Sequence, residues 1–171
     1  MGFETSSLCR NAIARTQAHE QEAIQRVLTS LRLFRDRAEI LAAEIPRFAP
    51  GLTDHSVRHL DALWEMADLL AGDRVLLNVA EVFVLGGAIL LHDLANAVAA
   101  FPNGLNDLRG PQWNDLVHAE FLSRYGRRPE AAEVAAPPVE VTSEVTLARL
   151  RQVHAAEAAV LATRGFFWFI R

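Results

Sequence analysis

Two segments of this chain carry the residues that could do metal chemistry. His92 and Asp93 are adjacent and follow a run of apolar residues, while Thr53-Asp54-His55-Ser56-Val57-Arg58-His59 contains two more histidines. Imidazole and carboxylate groups together form the kind of site that binds divalent first-row metals. Helices that turn such groups inward against an apolar wall build a metal centre inside a bundle. These residue types make metal-dependent hydrolysis the leading hypothesis.

Each motif on its own also has an ordinary structural explanation. His55 and His59, placed one helical turn apart, are more often part of a solvated helix face than a pair of ligands. The His92-Asp93 pair could simply close a helix with a salt bridge. Two ionisable groups beside an apolar helix are nevertheless costly to bury without partners, and metal coordination would remove that cost. The remaining histidines with an ordinary exposed interpretation are His19 and His118.

Composition bounds the class of protein. The chain has 171 residues, half of them hydrophobic, a net charge of -4 and no basic block, so one globular domain is expected and nucleic-acid polymers are not expected partners. A single cysteine, Cys9, cannot form an internal disulfide and fits a reduced, cytoplasmic protein. The most apolar run, Val82 to Leu91, is too short to cross a bilayer, so no membrane association is expected.

The spacing of apolar residues predicts an all-α fold. From Ile24 to Ile45 they alternate by four and three, which forms a heptad seam and predicts a long N-terminal helix from about Ser7 to Glu44. This helix either packs on its own domain or serves as a dimerising or signalling arm. A second helix is expected to begin at Thr53-Asp54, either of which can cap it.

The later helices are expected to form the core. Asn78-x-x-Glu81 has the form of a capping box at the start of a third helix, whose Val82 to Leu91 portion should be the most buried segment. Gly86-Gly87 inside it indicates a close approach of helices. Three further expectations concern the C-terminal half: a helix over Pro111 to Tyr125, a linker or surface loop over Arg127 to Val141, and a helix from about Ser143 to Thr163.

The motifs together resemble those of the HD superfamily of metal-dependent phosphohydrolases. The likeness rests on Thr53-Asp54-His55 with His59, and on Glu81-Val82-Phe83-Val84-Leu85 leading into Leu90-Leu91-His92-Asp93-Leu94. In that family a histidine on one helix and a His-Asp pair on the next core helix bind the metal, and a more distal aspartate completes the set. The resemblance covers roughly Pro50 to Ala162 and is greatest with bacterial HD domains that precede an Hsp90-like ATPase module.

This resemblance implies an HD-domain-like helical bundle over residues 50–164, preceded by the long helix in residues 1–49 and followed by an aromatic tail over 165–171. It implies that His59, His92 and Asp93 bind a divalent metal ion, namely manganese, iron or zinc, with magnesium as a further candidate. Asp93 and His55 would be the catalytic residues. A small phosphorylated substrate, such as a nucleotide, would be bound by Arg58, Arg151 and His154.

The chain also departs from the family pattern. No aspartate follows His154, and Leu94-Ala95-Asn96 stands where a glycine usually follows the His-Asp pair. These departures indicate either a truncated HD domain or a second function. In the latter, the chain is a non-catalytic sensor or regulatory module that forms a homodimer or contacts a partner domain through its N-terminal helix.

Overall fold

The computed structural model describes residues 3–48, 54–72 and 74–163, and the expected all-α fold is confirmed, with no strand in these ranges. The chain divides into two compact units. The first contains α1 (Ser7–Ala14), α2 (Gln21–Ala42), α4 (Val57–Ala71) and α5 (Val79–Leu91), and the second contains α3 (Ile45–Phe48), α6 (Pro111–Tyr125), α7 (Ala131–Ala135) and α8 (Val139–Leu161). The aromatic segment 165–171 lies outside the described residues.

The N-terminal region is not one continuous helix, so the prediction of a single helix from Ser7 to Glu44 is wrong. Helix α1 ends at Ala14, and a 3-10 turn over Ala18–Glu20 precedes α2. The break has a local cause, because the carboxylate of Glu20 accepts a hydrogen bond from the backbone N–H of Gln17 at 2.8 Å and forms a capping box there. Such a box is a start signal for a new helix.

Helix α2 retains the heptad seam as its buried face, which packs against α4 and α5. The seam residues Ile24, Leu31, Ala38 and Leu41 are buried, and Leu28 is buried beside them. Across the contact with α4, Arg35 Nε donates to the Asp61 carboxylate at 2.8 Å. The seam therefore serves packing within the first unit.

Helix α1 is fixed to α4 through its N-terminus. The Asp68 carboxylate on α4 accepts hydrogen bonds from the backbone N–H groups of Ser7 at 3.0 Å and Leu8 at 2.7 Å. These are donors that a helix start leaves without intrahelical partners. The following Cys9 is buried, with 1% of its surface exposed, and burial raises the pKa of its thiol. One carboxylate thus anchors this short helix.

Helix α4 starts later than expected, because its N-cap is Ser56, whose hydroxyl accepts from the Arg58 N–H at 3.3 Å. Asp54 accepts instead from the Ser56 N–H at 2.9 Å, and Thr53 lies outside the described residues. The prediction that Thr53 or Asp54 caps the helix is therefore wrong for Asp54. Ser56 was missed because its cap is set by the turn that Asp54 forms.

Helix α5 has the predicted start but not the predicted burial. The capping box is confirmed, since Asn78 accepts from the Glu81 N–H at 2.9 Å and Glu81 accepts from the Asn78 N–H at 2.7 Å. Val84, however, is 69% exposed, so Val82 to Leu91 is not the most buried segment. The stretch Val79–Asn96 is long and apolar enough to cross a membrane by those criteria alone, which many buried core helices also satisfy.

The predicted close approach at Gly86 is confirmed. A Cβ atom there would lie 3.0 Å from Leu31 Cδ1 on α2 and 3.3 Å from Cζ3 of Trp64 on α4. These distances are shorter than ordinary van der Waals contact, so the absence of a side chain at Gly86 allows the three helices to meet.

The most continuous burial belongs to the second unit, directly after α5. Leu94 to Val98 form 3-10 turns and are each no more than 9% exposed, and α8 packs over the first turn.

Helix α6 has the predicted bounds. Helix α8 begins at Val139 rather than Ser143, and α7 lies within the segment expected to be a linker, where Glu130 and Glu133 form a further capping box.

Candidate metal centre

Three side chains that can ligate a metal come together in the structure. The ligand atoms of His55, His59 and Asp93 all lie within 4.8 Å of one another, and each residue is half-buried. Ligands of a tetrahedral ion with bonds of about 2.1 Å lie about 3.4 Å apart. The three groups are therefore near, but slightly wider than, the spacing that a shared ion requires.

The histidine rings form a continuous row. The centroids of His55 and His59 are 5.8 Å apart, and those of His59 and His92 are 5.7 Å apart. His59 occupies the first turn of α4, whereas His55 precedes the Ser56 cap. The interpretation of His55 and His59 as neighbours on one helix face is thus wrong, because the turn before the helix, not helical periodicity, places His55 beside His59.

His92 ends α5 and is oriented by it. Its ring Nδ1 lies 2.7 Å from the backbone carbonyl oxygen of Ile89. A carbonyl can only accept, so Nδ1–H donates this hydrogen bond and the contact fixes the orientation of the ring. Metal-binding histidines are commonly held by this type of contact. His92 is not among the three residues clustered within 4.8 Å in the described part of the chain, but its ring adjoins that of His59.

Asp93 begins the first buried turn. It is the N-cap residue of the 3-10 turn Leu94–Asn96, yet its side chain makes no capping hydrogen bond. Its Oδ1 instead accepts from the side-chain amide of Asn96 at 3.4 Å. Sequence reasoning treated Asn96 only as a departure from the family pattern. The signal in the sequence was the spacing of three residues between Asp93 and Asn96, which allows their side chains to contact each other in a helical turn.

The entrance to the histidine row carries both signs of charge. Hydrogen bonds from Ser56 hold the pKa of the exposed Asp54 carboxyl below its usual range, and Arg58 and His59 contribute further. Arg58, a predicted substrate-binding residue, is exposed in the first turn of α4. The guanidinium is accessible to a soluble anion.

The other predicted substrate-binding residues lie on α8. His154 is half-buried, and its Nδ1 is 3.0 Å from the carbonyl oxygen of Arg151, whose side chain is exposed. Arg149, a further candidate for phosphate, donates from a terminal nitrogen to Gln152 at 3.1 Å. These contacts are local to the helix, so substrate binding by α8 stays a prediction. His19 and His118 are exposed, as their ordinary interpretation requires.

The donor set fits a first-row divalent ion. Two imidazoles and one carboxylate match the preference of manganese, iron and zinc, whereas magnesium and calcium favour sites built from oxygen alone. His92 would be a fourth donor on the same row.

Comparison with known families extends this assignment beyond the geometry. The family model HD-CE matches residues 49–170, which is more than half of the chain and includes His55, His59, His92 and Asp93. Comparison with curated proteins and with solved structures gives no match. The extent of the family match shows that the chain belongs to HD-CE, an HD-type family.

Proposed function

We propose that the chain is a metal-dependent phosphohydrolase that cleaves a phosphate ester of a small molecule, with a nucleotide as the preferred class. The observation that carries this proposal is the grouping of His55, His59 and Asp93 within 4.8 Å. Membership of an HD-type family supports it, because the same residue types bind metal in the HD superfamily that this sequence resembles.

Each residue of the row has a distinct role in this proposal. His59, His92 and Asp93 hold the ion, and the Ile89 carbonyl holds the His92 ring in place through Nδ1. A divalent ion would supply a bound water of lowered pKa and neutralise charge on phosphoryl oxygens. Asp93 orients the attacking water, and His55 either completes the ligand set or accepts and releases a proton at a ring nitrogen. Either manganese, iron or zinc is expected, and magnesium is the weaker candidate.

Substrate binding is assigned to the cationic groups. The exposed Arg58 guanidinium can form two parallel hydrogen bonds to phosphate oxygens, which a lysine could not do. Arg151 and His154 on α8 are proposed to contact the remainder of the substrate. A cytoplasmic location is proposed with this role, because nucleotide substrates are found there.

Metal content and melting temperature test the proposal. Purified chain should contain a first-row metal by mass spectrometry, and chelator should lower its melting temperature, because an ion bound only by the folded state stabilises it. The metal-loaded chain should release phosphate from at least one member of a nucleotide panel. Asp93→Ala should abolish both metal content and phosphate release. His118→Ala, an exposed histidine on α6, is the matched control and should change neither.

Two results would contradict the proposal. A wild-type chain whose metal content and melting are both unaffected by chelator is not a metal-dependent hydrolase. Metal binding without phosphate release from any nucleotide would retain the site and reject the reaction.

A second candidate function is a non-catalytic regulatory module, and one observation favours it. Helix α2 exposes Leu33 and Ile40 to 51% and 53%, seven residues apart on its outer face. That face could contact a second copy or a partner domain, such as the Hsp90-like ATPase module suggested by the resemblance. Light scattering of wild type and Leu33→Glu would test it, since a monomer in both cases contradicts a homodimer through α2.

A further inference from the structure

Asn96 is a polar residue in the most buried run of the chain. It is 9% exposed, and its neighbours from Leu94 to Val98 are apolar and no more than 8% exposed. Burying a side-chain amide in such surroundings costs stability unless its polar atoms are hydrogen-bonded. A residue with this cost at a position flanked by alanines needs an explanation beyond packing.

The local backbone places Asn96 against Asp93. The Asn96 N–H donates to the Asp93 carbonyl oxygen at 2.9 Å, which closes the 3-10 turn. Side chains three apart in a 3-10 turn are eclipsed, so the amide of Asn96 lies over the carboxylate of Asp93. Its Nδ2 donates to Asp93 Oδ1 at 3.4 Å, which is longer than the usual range of about 2.7–3.2 Å for such bonds.

We propose that Asn96 is a positioning residue that sets the coordination mode of Asp93, an inference that rests on the proposed metal site. A carboxylate oxygen that already accepts a hydrogen bond is a weaker donor to an ion, so Asp93 would bind the ion chiefly through Oδ2. Single-oxygen binding suits the first-row transition ions, whereas calcium often takes both oxygens of a carboxylate. Asn96 therefore contributes to the choice of metal without touching it.

His92 and Asp93 would then each be oriented by a hydrogen bond to a residue three positions away. His92 is held by the carbonyl of Ile89, three residues earlier, and Asp93 is held by the amide of Asn96, three residues later. A neutral amide suits the second role, because it donates a hydrogen bond without adding a charge. An aspartate at the same position would have no N–H to donate and would repel the Asp93 carboxylate.

The test compares metal binding by wild type with two variants. Asn96→Leu keeps the side-chain volume and removes the donor, and Asn96→Ala matches the small residues on either side in case leucine is not accommodated. Each should bind Mn²⁺ 10- to 100-fold more weakly than wild type, the usual cost of removing a partner of a metal ligand. Their affinity for Ca²⁺ should fall less, so the preference for Mn²⁺ over Ca²⁺ narrows.

A spectroscopic measurement separates positioning from a merely structural role. The visible absorption spectrum of bound Co²⁺ reports the ligand geometry and should change in both variants. Asn114→Leu, at an exposed position on α6, should leave the Mn²⁺ affinity and the Co²⁺ spectrum unaltered. Melting of the metal-free proteins shows whether the variants are folded, and Asn96→Ala is used if Asn96→Leu is not.

The outcomes for the two proposals are distinguishable. If wild type binds Mn²⁺ and a folded Asn96 variant binds it within threefold, with the same Co²⁺ spectrum, the positioning role is refuted and the proposed function stands. If wild type binds no divalent ion, the proposed function and this inference both fail.

Discussion

Helix α5 and the turns that follow it differ in a way that hydropathy does not reveal. The helix is the more apolar of the two, yet it exposes Val84 to 69% and leaves Ala88 on the surface. The turns from Leu94 to Val98 contain an asparagine and three alanines or valines of modest size, yet none is more than 9% exposed. The composition of a segment therefore sets how much free energy its burial could contribute. The elements packed against the segment determine how much of its surface is actually buried.

The same difference explains how the candidate site is supported. His92 belongs to the helix and takes its orientation from a carbonyl of the preceding turn of α5. Asp93 belongs to the buried turns and is contacted by the Asn96 amide. One peptide bond thus joins a side chain positioned by a regular helix to one positioned by tightly packed irregular backbone.

The largest expected effect is the difference in stability loss when one side chain in each segment is shortened to alanine. Leu94→Ala, at 0% exposure, should lower the free energy of unfolding by about 2–5 kcal/mol, because it removes buried methyl groups and leaves a cavity. Val84→Ala, from the exposed face of α5, should change it by no more than about 0.5 kcal/mol. Urea denaturation of both variants measures the difference, and equal losses would show that α5 and the turns are equally covered.

A smaller effect should distinguish two adjacent glycines within α5. Gly86→Ala should destabilise the protein by about 1–3 kcal/mol, because its Cβ would be 3.0 Å from Leu31 Cδ1 and 3.3 Å from the Trp64 ring. Gly87→Ala meets only Phe34 Cε1 at 3.4 Å and should be neutral or stabilising by up to about 1 kcal/mol through helix propensity. Thermal unfolding of the pair provides the measurement, and a stabilised Gly86→Ala would contradict the close approach.

The smallest effect concerns how the helix begins. Asn78→Ala removes the side-chain acceptor of the α5 capping box and should cost about 1 kcal/mol. Asn114→Ala on the exposed face of α6 serves as the control and should be within about 0.5 kcal/mol of wild type. Denaturant midpoints at constant slope would measure both, and an equal response of the two asparagines would argue against a capping role.

Features with a purely local cause were predictable from the sequence. The capping box at Asn78 and Glu81 depends on residues three apart, and Pro111 and Gly126 fix the ends of α6. The heptad seam of α2 indicated its buried face. The pairing of a histidine cluster with His92-Asp93 suggested that these residues share a site, and the structure brings His55, His59 and Asp93 together.

Features that depend on tertiary contacts were not predictable. The exposure of Val84 depends on which elements cover α5, and the burial of Leu94 to Val98 depends on α8. The break between α1 and α2 was missed because the heptad seam begins only at Ile24, and the capping box of Gln17 and Glu20 that precedes it was not recognised. His55 reached His59 through a turn, a conformation for which periodicity carries no information.

The labelling rate of the buried Cys9 thiol reports how often helix α1 unfolds locally. A thiolate is the form that reacts with alkylating reagents, and at this position both its formation and its access to solvent are disfavoured. Labelling in native buffer therefore requires α1 to detach from the helices packed against it, α4 and α5, and to break the contacts of Asp68 with Ser7 and Leu8. The ratio of the labelling rate to that of an unstructured thiol equals the fraction of time the helix spends detached, a local unfolding equilibrium readable without any mutation.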